Sequence, residues 1–493
     1  MELAIKIFQF VLSISILVVL HELGHFLPAK WFKTRAEKFF LFFDPWFSIF
    51  SAKKINGKWK FKAFSKNLPD TEIVTINGEQ KEVPINIENL PDNDWRKYPT
   101  ETKYGIGWLP LGGYVKIAGM VDESMDTEQL KKPAEPWEFR SKPAWQRLII
   151  MLGGVTVNFF LAWIIFSALT FFNGEAIFDA GKMNSTLKYS NSAHKMGFED
   201  GDKILKVDGK TQNNFRKLAL DVLLSDNVTV DRNGKEVTFA TNDEGKAEAF
   251  KQEDPRAFLA PRLKASVDTI INKTSLDAGL KVGDIITNIN GNKIAYYDEV
   301  SPLIKPNAGK TIAVDVLRNN QPLNLNIPVS QEGTLGILSF KEMQNFEVLK
   351  SYTFLQSIPR GLTQTIESLT YQIKSFKLVF NKKVQGYKNV SGPIGIVKQM
   401  PVARDADNNI SIDWSAFWAF TAMFSIWLAF INLIPIPGLD GGHVVFTLWE
   451  MITGKPVPQK VLENAQMIGV IFLLGLMVLI FGNDIFKLIV GKL

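Results

Sequence analysis

Four stretches of this chain, residues 3–26, 148–172, 414–436 and 467–485, are almost without charge. Each is close to the ~20 residues that an α-helix needs to cross a bilayer. Hydrocarbon admits only segments that satisfy their own backbone hydrogen bonds, which at this length means helices. The stretches therefore predict four transmembrane helices. Four buried core helices are the plainer alternative, but such lengths are rare together in a soluble chain. No small-residue cleavage motif follows the first stretch. Lys30, Lys33 and Arg35 follow instead, which predicts a retained anchor and not a signal peptide.

The charges between the spans set an orientation. Lys30, Lys33, Arg35 and Lys38 open the loop between the first two spans, and Arg140, Lys142 and Arg147 close it. Glu175 and Asp179 follow the second span. Positively charged loops stay on the cytoplasmic side, so this loop is expected inside and both termini outside. The net charge of +6 is spread over that loop and the polar middle of the chain. No nucleic-acid module is recognisable, and contact with lipid headgroups accounts better for the excess. The chain has no cysteine, which excludes disulfides and thiolate metal sites.

A repeat lies between the second and third spans. "SAHKMGFEDGDKILKVDGK", from Ser192, aligns with "TSLDAGLKVGDIITNINGN", from Thr274. Gly197, Gly201, Asp202 and Gly209 correspond to Gly279, Gly283, Asp284 and Gly291 at one constant offset. Equal glycine spacing means equal backbone turns, hence two copies of a small α+β domain, expected at 175–260 and 261–345. Alternating strands follow each motif, and Asn233 and Gly234 mark a hairpin turn in the first copy. The pattern GxxGDxIxx(V/I)xG before strands resembles PDZ domains, which bind extended peptides at a sheet edge. Structural spacers that bind nothing are the plainer reading.

Within 346–412, Leu355, Ile358, Leu362, Ile366, Leu369, Ile373 and Phe376 recur every three or four residues. This predicts an amphipathic helix, lying on a membrane surface or packed under the preceding domain. In the loop at 30–145, Asn56 and Gly57 signal a hairpin, and residues around 68–103 read as a polar insertion. "GIGWLPLGGYVKIAGM", at about 105–120, reads as an apolar, glycine-rich strand pair and not a helix.

The first span ends on "HELGH", His21 to His25. At helical spacing the two imidazoles share one face, one turn apart. Such a pair can bind one zinc ion, with Glu22 placed as general base. Only four histidines occur in the chain: His21, His25, His194 and His443. Without a metal, several ionisable groups would stand in hydrocarbon unpartnered, which is costly. A catalytic zinc takes three protein ligands and keeps one position open. Asp440, in "NLIPIPGLDGGH" after the third span, is the candidate third ligand, because the first and third spans run in the same direction and end at the same depth. His443 is its rival.

HELGH, "NLIPIPGLDGG" and the paired repeats together resemble the site-2 protease family of intramembrane zinc metalloproteases, in its RseP-type branch (regulator of sigma-E protease) with tandem PDZ domains. The resemblance covers nearly the whole chain. "GGVTVNF", with Gly154 and Asn158, matches a glycine–asparagine motif of that family, although Val155 stands where proline is common. "GWLPLGGYVK" matches its membrane-associated hairpin, and "NVSGPIGI" (389–396) a segment before its third span.

The resemblance implies a polytopic α-helical membrane protein of the bacterial inner membrane: helices at 1–29, 146–174, 413–445 and 446–493, and two periplasmic PDZ-like domains. It implies His21, His25 and Asp440 as ligands of one zinc ion per chain and Glu22 as the base. Asn158 and Asn432 are amides able to hold substrate backbone or an oxyanion, or to bond between helices. The strand carrying Gly112, Gly113, Tyr114 and Val115 offers an edge on which an unwound substrate segment can pair. The expected partners are the bilayer, single-span membrane proteins of the anti-sigma-factor and remnant-signal-peptide kind, cut after a first cleavage outside, and trimmed ends at the PDZ-like domains. A monomer is expected. The alternative function is a catalytically inactive, PDZ-bearing membrane scaffold.

Overall fold

The computed structural model describes residues 2–69, 71–76, 79–120, 133–178, 187–212, 214–251, 258–340, 347–386, 390, 392–405 and 409–489. Asp179, Asn389 and Ser391, used above, lie outside the described residues. Six helices are central here: α1 (Glu2–Trp31), α2 (Ala144–Asn173), α3 (Phe354–Val379), α4 (Trp414–Leu433), α5 (Asp440–Thr453) and α6 (Gln459–Ile489). Among the described residues α1, α2, α4 and α6 are long and apolar enough to cross a membrane. The third of these stops at Leu433, short of the expected end. Ile434, which precedes Pro435, is extended (φ −64°, ψ 137°), as a residue before proline must tend to be.

The chain divides into two units, one of Met1–Asn173, Tyr352–Gln372 and Ser391–Leu493, the other of Gly174–Ser351 and Ile373–Val390. In the first unit α2 packs against α1, α4 and α5. The helices approach through small residues, as helices in lipid do. A Cβ built on Gly24 of α1 would lie 2.4 Å from the carbonyl oxygen of Gly153 in α2. The Ser13 and Thr421 hydroxyls meet at 3.0 Å, and Ser425 donates to the Asn158 backbone carbonyl at 2.8 Å.

The amphipathic helix forms as α3, but its buried stripe is not the apolar one. Ser357, Gly361 and Thr365 are buried, whereas Leu355 is 76% exposed. A Cβ on Gly361 would lie 2.6 Å from the backbone nitrogen of Ser167, and Trp163 Nε1 donates to the Ile358 carbonyl at 2.9 Å. Small residues at every fourth position let the α3 backbone close on α2, leaving Leu355, Ile366 and Ile373 exposed while Leu369 packs inward.

The expected hairpin at 105–120 is corrected. Strands β1 (Ala36–Phe43), β2 (Phe47–Ile55), β3 (Lys58–Lys66), β4 (Thr71–Ile76), β5 (Glu79–Pro84), β6 (Lys103–Ile106) and β7 (Leu109–Ile117) precede α2. Five of them form one sheet in the order β3-β2-β6-β1-β7. β6 and β7 do not pair with each other; β1 runs between them, parallel to β6 and antiparallel to β7. The turn is spent on crossing over β1 rather than on closing a hairpin: Gly107 N donates to the Leu41 carbonyl at 2.8 Å. A Cβ on Gly107 would lie 2.1 Å from the Phe43 carbonyl oxygen. The β2–β3 hairpin forms as expected, with Asn56 and Gly57 both at positive φ (49° and 78°). β4 and β5, in the polar insertion, make a separate two-stranded sheet.

The register puts one lysine from each strand on a single rung. Lys60 pairs with Lys53, Lys53 with Lys103, Lys103 with Lys38, and Lys38 with Lys116. Directly opposed like charges are unfavourable, and three of the five lysines are relieved in different ways. Lys53 Nζ donates to the Trp95 carbonyl at 3.0 Å, and Lys116 lies 3.6 Å from Glu37. Lys103 Nζ donates to Asn67 Oδ1 at 3.0 Å; burial, reinforced by the neighbouring lysines, pushes its ammonium down to about 8. The opposite face is apolar and open, with Phe61 63% exposed beside Trp59, Phe50 and Ile106.

In the second unit the repeat proves to be two copies of one α+β domain. Strands Lys203–Val207, Lys210–Thr211, Asn227–Arg232 and Lys235–Ala240 build one sheet; Ile285–Ile289, Asn292–Lys293, Thr311–Arg318 and Gln321–Pro328 build the other in the same order. The irregularity between Ile204 and Lys206 recurs between Ile286 and Asn288. Arg232 donates to both carboxylate oxygens of buried Asp202, at 2.8 and 2.7 Å. Arg318 does the same to Asp284, at 2.8 Å for each bond. The Asn233–Gly234 turn forms, with φ of 52° and 80°.

Candidate metal centre

Helix α1 carries His21 and His25 on its buried face, with their Nε2 atoms 3.2 Å apart. Asp440 opens α5 after a tight turn that only glycine permits. Gly438 has φ +98°, and a Cβ on Gly441 would lie 2.2 Å from the Ile434 carbonyl oxygen. The turn delivers Asp440 Oδ2 to 3.3 Å from both imidazole Nε2 atoms. One ligand atom from each residue, three in all, falls within 4.8 Å of the others.

The far side of each ring is held as well. His25 Nδ1–H donates to the Ile150 carbonyl at 2.8 Å, which fixes the tautomer that leaves Nε2 as a lone pair. His21 Nδ1 meets the Asn158 amide at 3.0 Å, and Asn158 Oδ1 is buried without a hydrogen-bond partner. Turning that amide lets Oδ1 accept from His21 Nδ1–H; this satisfies the oxygen and frees the second Nε2. Room for the rings comes from Gly154, where a Cβ would lie 2.5 Å from His25 Nε2.

The converging atoms are thus three acceptors with no proton to share, and Asp440 Oδ2 is buried without a hydrogen-bond partner. A dication satisfies such a set. Two imidazole nitrogens and one carboxylate oxygen, without sulfur, are a donor set for a catalytic zinc with an open position. The residues present fit the ion.

A cleft of about 740 Å³ opens on this point. Glu22, Asn432, Gly112, Gly113, Tyr114 and Val115 line it, as does His443, which is not among the three converging ligands. Asn432 Nδ2 lies 3.2 Å from His21 Nε2. Tyr114 offers backbone only: its hydroxyl donates to Asp44 Oδ1 at 2.7 Å, and its ring stacks on Phe40 and Phe43. β7 is an edge strand, paired among the described strands with β1 alone. A Cβ on Gly113 would lie 2.6 Å from Val18 Cγ1, so the strand lies against α1. Asn158 departs from expectation. It is fully buried and is not among the residues lining the cleft. Its amide meets His21 instead of facing the cleft. The lining also includes Gln466 of α6, which the sequence reading passed over. Its signal was a lone amide next to an apolar run.

Known proteins share this layout. The pattern of Peptidase family M50 matches residues 9–66 and 93–476, leaving out much of the polar insertion. The regulator of sigma-E protease RseP of Escherichia coli K12 is 24% identical over 97% of this chain and 98% of its own. The regulator of sigma E protease of Haemophilus influenzae is 24% identical over the same shares. A Vibrio cholerae protein bearing a zinc-metalloprotease name is 26% identical, again over 97% and 98%. The chain belongs to Peptidase family M50 and is a membrane-bound zinc metalloprotease.

Proposed function

We propose that this protease hydrolyses peptide bonds inside the transmembrane segments of single-span membrane proteins, after a first cut outside the membrane. The substrate class is the one the family resemblance implies: anti-sigma factors and remnant signal peptides. The observation that carries the reading is the convergence of His21, His25 and Asp440 at a cleft that opens among apolar helices.

His21, His25 and Asp440 hold one zinc ion, with Asn158 and the Ile150 carbonyl orienting the rings. Zinc in that position supplies a Lewis acid for the scissile carbonyl and makes water acidic enough to attack near neutral pH. Glu22 takes the proton of the attacking water and returns it to the leaving amine. Asn432 points its amide at the carbonyl oxygen as negative charge develops there. A helical substrate hides its carbonyls in its own hydrogen bonds, so it must unwind first. The open edge of β7 receives the unwound stretch as an added strand.

The loop at 30–145 faces the cytoplasm, and both termini and the duplicated domains face the periplasm. Those domains act as PDZ-like filters that exclude substrates whose outer parts are still attached. A scaffold without activity would have no use for an acid beside the three ligands, and Glu22 lines the cleft. The test is Glu22→Gln in the full chain with a single-span polypeptide as substrate. Zinc content is expected to stay at one per chain while the cleavage rate falls by about 10²–10⁴. Unchanged cleavage would overturn the assignment.

A further inference from the structure

An extended segment paired on β7 has a second edge of its own, with alternate N–H and C=O groups pointing away from the sheet. Inside a membrane those groups have no water to turn to. Something else in the cleft must meet them.

Gln466 of α6 is suited to it. The residue is 5% exposed and lines the cleft with the three converging ligands. Among the described residues its side chain has no hydrogen-bond partner, and its amide atoms are not sealed off from the cleft. An amide without a partner in a cleft that water does not fill is costly. Like asparagine, glutamine carries a donor and an acceptor together in the pattern of a peptide group. Its position is rigid. Gly469, three residues on and so on the same helix face, sits so close to the α5 entry turn that a Cβ there would lie 1.6 Å from the Pro437 carbonyl oxygen. That contact ties the height of Gln466 to the turn that carries Asp440.

We propose that Gln466 is a substrate-binding residue whose amide hydrogen-bonds the backbone of the unwound segment on the edge that β7 leaves open. The segment is then held as a strand by two separate elements, one a sheet edge and the other a spanning helix. Because the contact is to backbone, it selects for an unwound conformation and not for a side chain. This rests on the intramembrane-protease reading, and the experiment separates the two.

The chain is free of cysteine, so Gln466→Cys can be placed alone in a Glu22→Gln background. The probe is a single-span polypeptide with one cysteine stepped through its span, oxidised in detergent with the full chain. Disulfides are expected at alternate positions of a short run, the period of a strand. Ile468→Cys, on the exposed side of α6, is expected to give none. No disulfide at any position, or a helical period of three to four, would overturn the proposal. In parallel, Gln466→Leu with active Glu22 is expected to keep its zinc and to lose about tenfold in kcat/KM, the scale of one hydrogen bond. If Glu22→Gln abolishes cleavage but Gln466→Leu is silent and no disulfide forms, the role of Gln466 fails alone. If the chain with native Glu22 does not cleave the probe, the protease reading fails with it.

Discussion

Three aspartates of this chain, Asp202, Asp284 and Asp440, are held in two contrasting ways. Asp202 and Asp284, in the duplicated domains, each take both oxygens to one arginine, and that arginine also donates to a nearby carbonyl, Gly197 or Gly279. Every lone pair of consequence is met by a proton from the same domain. Asp440, at the metal centre, faces two nitrogens presented as lone pairs, and its Oδ2 accepts no hydrogen bond. The first arrangement is complete without a ligand and serves the architecture. The second is incomplete by construction, and its surroundings maintain that state: the Ile150 carbonyl and Asn158 orient the rings, and Gly154 keeps space clear. Burial alone does not distinguish a structural carboxylate from a functional one; the presence of donors does.

The comparison can be broken in the duplicated domains first, where the largest change in stability is expected. Arg318→Met leaves Asp284 buried and unpaired, which costs about 3–5 kcal/mol. Chemical denaturation should show early unfolding of that domain, with one zinc still bound per chain. Loss of zinc in this variant would mean that the two regions are not independent. Gly154→Ala is the sharper probe of the metal centre. Its methyl group must displace His25, and zinc affinity measured by chelator competition should fall about 10–100-fold, the range seen when groups supporting a ligand are lost. An unchanged affinity would show that the space beside the rings is not needed.

The smallest effect belongs to Lys103, on the lysine rung. Its folded-state value, about 8, lies below the ordinary lysine value of 10.5. Below pH 8 the folded and unfolded chains both hold the proton, and the folded state bears the full penalty of a charge among lysines. Between about 8 and 10.5 the folded chain releases its proton first, so stability rises with pH. Lys103→Met should therefore raise the melting temperature at pH 7 by about 2–4 °C, and the gain should shrink as pH rises through that window. A gain independent of pH would remove the charge from the explanation.

Much of this site is written locally. His21 and His25 stand four apart on a helix, so their meeting needs no tertiary knowledge. The glycine offset of the repeat and the Asn–Gly turns are short-range signals too, and all of them appear in the structure. Asp440 was reachable because two helices of the same direction end at the same depth. The β6–β7 hairpin was misjudged because pairing there is decided by β1, some sixty residues upstream, and a one-strand insertion leaves no local mark. The apolar spacing of α3 was legible, but its small-residue contact stripe was not, for a reason peculiar to lipid. Apolar residues gain nothing by leaving a bilayer, so Ser357, Gly361 and Thr365 make the contact that Leu355 and Ile366 would make in water. Asn158 was recognised as polar and deep, but whether it faced the cleft or a histidine depended on the rotation of α2, which glycines at 153 and 154 set.

The central claim is that two imidazoles and one distant carboxylate complete a single zinc site. X-ray absorption at the zinc edge of the purified chain, beside Asp440→Ala, tests it most directly. The account predicts one zinc per chain with Zn–N distances of about 2.0–2.1 Å, a carboxylate oxygen at about 2.0–2.2 Å and no sulfur. The carboxylate signal and most of the metal should vanish in Asp440→Ala. Full zinc occupancy with an unaltered coordination shell in that variant would contradict it.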